Sequence, residues 1–340
     1  MTLTCFFAAS VLMKTKPDHI ADARRRNWVE THAPTQARPY LQLARYDRPI
    51  GFWLLLIPCW AGMALARLDQ GWVWSDLTLI LLFLVGALAM RGAGCTYNDI
   101  LDRDLDAKVA RTNNRPLANG TLNVRQATGF LALQLAIGFA VWLALPTLAK
   151  QVALAALPLV ALYPLMKRIV WWPQAWLGLT FNWGVLVGYV AISDQFSPPV
   201  WLFYAGFAFW TLGYDTIYAH QDREDDAMIG VKSTARLFGR HSKVAIGIIY
   251  FLSITLLLFA ANQQAAELLP SLQKQAQYGV LLASGLFALN LSNQAFSTNF
   301  DDPDQCLSVF KSNSRAGFEY VFLLAVAPVF MSWLMQLTGQ

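Results

Sequence analysis

Two short acidic stretches hold the residues whose types and spacing could do chemistry: Asn98 to Asp106, reading NDILDRDLD, and Asp222 to Asp226, reading DREDD. In the first, Asn98, Asp102 and Asp106 recur every fourth residue. On a helix of 3.6 residues per turn each is offset by ~40° from the last, so the three line one face. Asp215, Asp222 and Asp226 follow at intervals of seven and four and are expected to share a face in the same way. Both stretches read D-R-x-x-D-A, 120 residues apart, and together they hold eight of the chain's 21 acidic residues. Carboxylates this crowded repel one another unless they share a cation. Oxygen donors without His or Cys suit Mg²⁺, which takes a few carboxylates and completes its shell with water and substrate phosphate oxygens. A metal-bridged diphosphate is the expected ligand, with Lys167, Arg103 and Arg223 able to neutralise its remaining charge. Lys167 lies four residues after Tyr163 in YPLMK. No GxxxxGKS-type phosphate loop is present, so nucleotide hydrolysis is not supported.

The elements that position these residues are membrane helices. The chain is 56% hydrophobic and 14% charged, whereas about a quarter of the residues of a soluble domain are charged. Nine apolar runs approach the ~20 residues a helical span needs: roughly 50–66, 76–97, 127–146, 150–166, 174–193, 199–219, 243–262, 276–294 and 316–337. None alternates as a barrel strand would. The expected fold is all-α, a polytopic bundle of about nine transmembrane helices with two Asp-rich cytoplasmic helix ends. If the N-terminus is cytoplasmic, 22 Lys and Arg lie on that side; only Arg67, Lys150 and Lys274 lie opposite, and Arg91 falls inside the second run. That split fixes orientation under the positive-inside rule and puts both acidic stretches on the cytoplasmic face. The net charge of +5 is therefore a topology signal and no nucleic-acid partner is expected.

Residues 1–40 are expected to form a disordered cytoplasmic arm ahead of a domain at 41–340. The four cysteines lack CxxC spacing and suggest neither disulfides nor zinc. His220, the histidine nearest the acidic residues, reads as a polar helix-end residue. Arg45, Asp47 and Arg48 before the first run are either flanking charges or part of the site. The basic, turn-rich loop KVARTNNRPLANG after Asp106 either covers the site or is simply solvated.

With three motifs in this order, the chain resembles the UbiA-type superfamily of intramembrane aromatic prenyltransferases over about residues 40–337. The NxxxDxxxD motif is Asn98, Asp102 and Asp106; YxxxK is Tyr163 and Lys167; the second DxxxD is Asp222 and Asp226. The stretches RYDRPIGFWLLLIPCWAG, RGAGCTYNDILDRDLDAKVARTNNRPL, YPLMKR and YDTIYAHQDREDDAMIGVKSTA look most like the 4-hydroxybenzoate polyprenyltransferases of ubiquinone biosynthesis. The resemblance implies that Asn98, Asp102, Asp106, Asp222 and Asp226 hold Mg²⁺ on a polyprenyl diphosphate, with Lys167, Tyr163 and Arg103 on its oxygens. It further implies that diphosphate departs, the ring carbon ortho to the hydroxyl of 4-hydroxybenzoate attacks, and an aspartate, with Asp222 the first candidate, accepts a proton. Arg168, then Arg45 and Arg91, are the cations expected to hold the acceptor's carboxylate. A superfamily enzyme with a menaquinone, haem O or chlorophyll-type acceptor is the alternative within this class. A transporter is the alternative outside it, but that would place the charges near the bilayer midplane. Acidic residues within 1–40 favour a bacterial inner membrane over a mitochondrial one. Oligomeric state is not encoded legibly.

Overall fold

The computed structural model describes residues 27–108, 112–223, 232–268 and 270–338. Among them the regular elements are helical. Two short helices, α1 (Trp28–His32) and α2 (Arg38–Leu43), precede α3 (Ile50–Gln70), α4 (Asp76–Asp106) and α5 (Val124–Ala144). Next come α6 (Thr147–Ala155), α7 (Leu157–Ile169), α8 (Pro173–Ser193), α9 (Pro198–Ala219) and a five-residue helix α10 (Thr234–Phe238). The chain closes with α11 (Ser242–Ala266), α12 (Pro270–Ser297) and α13 (Pro303–Thr338). Five segments are long and apolar enough to cross a membrane among the described residues: Ile50–Leu68, Asp76–Asp106, Val124–Ala144, Pro173–Ser193 and Thr234–Ala266. The other expected runs also fall in helices, but 150–166 is broken at Ala156, where α6 ends and α7 begins with Pro158 near its N-terminus. Apolarity alone conceals such a break, because proline is tolerated in a first turn. Of the arm expected at 1–40, the described part is helical at 28–32 and from 38 on, with bends and turns between. Asn27 caps α1 by accepting from the Val29 and Glu30 amides, and the Trp28 indole donates to the Tyr46 carbonyl at 2.7 Å.

The chain forms two compact units, residues 1–48 with 92–132, and residues 49–91 with 133–340. The smaller unit is centred on buried Leu43, Leu117, Leu122 and Ala127, with Tyr40 edge-on to Phe130. Its loop enters α5 through a reciprocal cap: Asn123 and Gln126 each accept, through the side chain, the other's backbone amide at 2.9 Å.

In the larger unit, Trp210 is fully buried among Phe207, Tyr214 and Phe287, and its indole donates to Asn313 Oδ1 at 2.9 Å. Helices α3 and α8 approach through glycines. A Cβ on Gly62 would collide with the Val185 carbonyl, and one on Gly188 with the Cys59 carbonyl, the small-residue packing that membrane helices use where lipid gives no hydrophobic drive. The 71–75 turn between α3 and α4 is bound by Arg67 Nη2 to Asp76 Oδ1 at 2.6 Å and by the Val73 amide to Asp76 Oδ2 at 2.9 Å. Exposed Trp72 and Trp74 mark it as an interfacial turn.

Helix α4 has 31 residues, a rod of ~46 Å against a hydrocarbon layer of ~30 Å. Its 31 residues are about ten more than a span needs. Helix α4 can therefore be apolar for most of its length and acidic at its end. Gly62→Ala or Gly188→Ala is expected to cost about 1–3 kcal/mol by overpacking, lowering the unfolding midpoint in detergent, while Gly285→Ala, inside a helix with open space around it, does not lower that midpoint.

Candidate active site

The C-terminal end of α4 presents its polar residues in two sets. Asn98 and Asp102 are exposed, and neither side chain makes a hydrogen bond or ion pair with another described residue. Asp99 and Asp106, seven apart and so on a common face, are buried. Arg45 Nη2 donates to both oxygens of Asp99, at 2.6 and 2.9 Å, and Arg115 Nη1 donates to Asp99 Oδ1 at 3.3 Å and Asp106 Oδ2 at 2.7 Å. Thr112 Oγ1 donates to the Asp106 carbonyl at 2.9 Å, fastening the following loop to the helix end. Arg45 holds its position at a φ of 62°, a left-handed backbone rare for a side chain of this size. Burial alone would lower its pKa, but the adjacent Asp99 carboxylate outweighs that and raises it.

This arrangement bears on two expectations. Arg45 is spent on Asp99 rather than open to an acceptor carboxylate, because a carboxylate only 2% exposed requires a fixed counter-charge. Asp106 keeps its fourfold spacing from Asp102 on α4 but, unlike Asn98 and Asp102, is buried and paired with the loop arginine. Arg103 pairs with its neighbour Asp104 at 2.8 Å in solvent, and Asp47 pairs with Arg48. Among the described residues no group of three or more His, Cys, Asp or Glu side chains is disposed to hold a metal. Asp99 and Arg115 are the residues that sequence reasoning passed over. The interval of seven from Asp99 to Asp106 was the available signal.

In the larger unit, α9 stops at Ala219 and Asp222 lies on a 3₁₀ turn, His220–Asp222. The face expected to unite Asp215 with Asp222 is thus interrupted, as three residues per turn replace 3.6. Asp226 lies outside the described residues. His220 is structural: its Nε2 meets Ser242 Oγ at 3.0 Å, its ring lies 4.9 Å from Phe300, and burial, with Arg223 adding to it, lowers its pKa to about 4. Arg223 pairs with Asp301 at 3.1 Å. Tyr163 and Lys167 lie one turn apart on α7, with Arg168 next to Lys167. Beyond Asp226 the chain returns to this helix. Lys232 Nζ donates to the Ile169 carbonyl at 3.0 Å, the Thr234 amide to Gln174 Oε1 at 3.0 Å, and Thr234 and Thr216 share a 2.7 Å hydroxyl bond. The structure thereby brings the end of YxxxK helix α7 beside the return of the second acidic segment. Arg91 lies under the Phe181 ring, 5.8 Å from its centroid, and keeps a buried Nε with no hydrogen-bond partner among the described residues. An apolar cavity of about 400 Å³ opens in the same unit, with Phe83, Met90, Phe139, Trp142, Leu154 and Val187 in its wall.

The UbiA prenyltransferase family model matches residues 55–323, most of the chain. The chain belongs to this family. A mitochondrial 4-hydroxybenzoate polyprenyltransferase of Arabidopsis thaliana is 48% identical over 232 residues, 68% of this chain and 56% of that protein. One of Aedes aegypti is 44% identical over 281 residues, 82% of this chain and 61% of that protein. The chain thus spans less than two thirds of the length of these two relatives. A solved UbiA homologue from Archaeoglobus fulgidus, bound to GPP and Mg²⁺, superposes with a TM-score of 0.58 at 17% identity, covering 84% of this chain and 99% of that one, and so shares the fold. The mitochondrial relatives overturn the expected bacterial inner membrane. That expectation rested on acidic residues in 1–40, a stretch outside the UbiA match.

Asp99→Ala would leave the Arg45 guanidinium buried without its counter-charge, at a cost of about 3–5 kcal/mol. Folded yield in membranes and the unfolding midpoint should both fall, whereas Asp104→Ala, which breaks only a solvent-exposed pair, should leave both unchanged.

Proposed function

We propose that this chain transfers a polyprenyl group from a polyprenyl diphosphate to the ring carbon ortho to the hydroxyl of 4-hydroxybenzoate, a step of ubiquinone biosynthesis, in a mitochondrial membrane. The observation that carries the reading is the exposed pair Asn98 and Asp102, one turn apart on the acidic end of α4. The acceptor is supported by the names of the two relatives at 48% and 44% identity.

The donor set fits a hard divalent cation. Asn98 and Asp102 offer oxygens with no competing partner among the described residues, and Mg²⁺ needs only one or two carboxylates when substrate phosphate and water complete its shell. Asn98, Asp102, Asp106, Asp222 and Asp226 are the residues that would hold it. Bound there, Mg²⁺ supplies neutralisation of the charge that develops on the departing diphosphate. Lys167 and Tyr163 contact diphosphate oxygens. Arg103 joins them by leaving Asp104, an exposed pair that holds it weakly. As the C1–O bond of the donor breaks, C1 gains the positive charge that the ring carbon of the acceptor attacks. The displaced ring proton passes to a carboxylate, assigned to Asp222. Arg168 holds the acceptor's carboxylate, with the unpartnered Nε of Arg91 the second candidate. The prenyl tail lies in the apolar cavity lined by Phe139 and Trp142.

Asp102→Ala or Asp222→Ala should lower transfer of label from 4-hydroxybenzoate into lipid by about a hundredfold or more, with the protein still folded in membranes. Near-normal turnover in either variant would sink the site assignment. Excess EDTA should abolish transfer and added Mg²⁺ restore it; full activity in EDTA would overturn the metal requirement.

A further inference from the structure

The Arg115–Asp106 ion pair has no role in the reaction as set out above. Asp99 is already served by Arg45 at 2.6 and 2.9 Å, so the 3.3 Å contact from Arg115 adds little there. Asp106 differs, since the bond from Arg115 Nη1 to its Oδ2, at 2.7 Å, is the short one. The backbone beneath Arg115 is fixed: its amide donates to the Thr112 carbonyl at 2.9 Å, its own carbonyl accepts from the Asn119 amide at 2.9 Å, and Thr112 is bonded to the Asp106 carbonyl. Its side chain still keeps 26% of its surface exposed, against 12% for Arg45. Two arginines and two aspartates make the cluster neutral without any ligand. A second cation arriving at Asp106 would be repelled by the guanidinium already there.

We propose that Arg115 is an exchangeable counter-ion: it holds Asp106 in the empty enzyme, yields that oxygen when a divalent cation binds, and turns its fork onto the diphosphate that enters with the cation. This rests on the reading of Asp106 as a metal ligand. The exchange is favourable because a guanidinium matches phosphate oxygens bidentately and gains more charge there than on a single carboxylate. The fixed backbone lets the side chain swing without unfolding the loop. Arg45, chelating a 2% exposed Asp99, stays in place.

The test measures Mn²⁺ binding by electron paramagnetic resonance in wild type and Arg115→Gln, first alone and then with inorganic diphosphate. Removing a competitor should tighten binding of Mn²⁺ alone by about fivefold, the scale of a partly exposed ion pair. Removing an anion ligand should weaken diphosphate binding at saturating Mn²⁺ by about tenfold or more. Opposite signs support the exchange. Weakening of both, as a purely structural role predicts, or no change in either, overturns it. Should Arg115→Gln fail to accumulate, Arg115→Lys is measured instead; a point charge without the fork should show smaller shifts of the same opposite signs, and shifts of one sign overturn the proposal. A wild-type chain that binds no Mn²⁺ even with diphosphate overturns the metal reading of Asp106 and the exchange with it. Mn²⁺ binding that Arg115→Gln leaves unmoved removes only the exchange.

Discussion

A charge near a bilayer is stable only when it is compensated, and α4 shows this at three levels of one rod. At its start Asp76 is held by Arg67, in its middle Arg91 lies on the face of Phe181, and near its end Asp99 is clasped by Arg45. Removing either member of a buried pair leaves the other uncompensated, so these contacts restrict how the helix can sit along its axis. Asn98 and Asp102 are the exception. They are polar, exposed and without a partner among the described residues, and they lie on a helix with more residues than a span needs.

Packing supplies the rigidity that such a helix requires. Lipid gives no hydrophobic drive for helices to associate, so backbone must approach backbone. Gly62 and Gly188 permit this between α3 and α8, and buried aromatics around Trp210 fill the space that larger neighbours leave. The polar bonds inside that core, such as Trp210 to Asn313 and Tyr250 to Gln294, are made within the protein and tie together the helices that carry them.

Much of this was legible in the chain. Fourfold spacing located Asn98, Asp102 and Asp106, lengths of apolar residues located the helices, and motif order indicated the family. What stayed hidden has one cause: periodicity describes a single helix and is silent about what reaches it from elsewhere. Arg45 and Arg115 approach Asp99 from 54 and 16 residues away, and no spacing rule links a turn, a loop and a helix end. Asp106 was therefore grouped with its fourfold neighbours although the loop claims it. The 3₁₀ turn that displaces Asp222 from the α9 face and the break at Ala156 are local changes of pitch, invisible to an average over a window. Localisation failed for another reason, since acidic residues in a stretch beyond the family match say little about the membrane that holds the domain.

The Arg67–Asp76 bond bears on biogenesis as well as on the finished fold. The 71–75 turn is the tip of the α3–α4 hairpin, between two segments long and apolar enough to cross a membrane. Arg67 and Asp76 are nine residues apart and both sit at that tip. An unpaired charge carried across a membrane potential exchanges ~2.3 kcal/mol with the field per 100 mV, besides its dehydration. Paired, the two charges at the tip sum to zero, so together they exchange less energy with the field than either would alone.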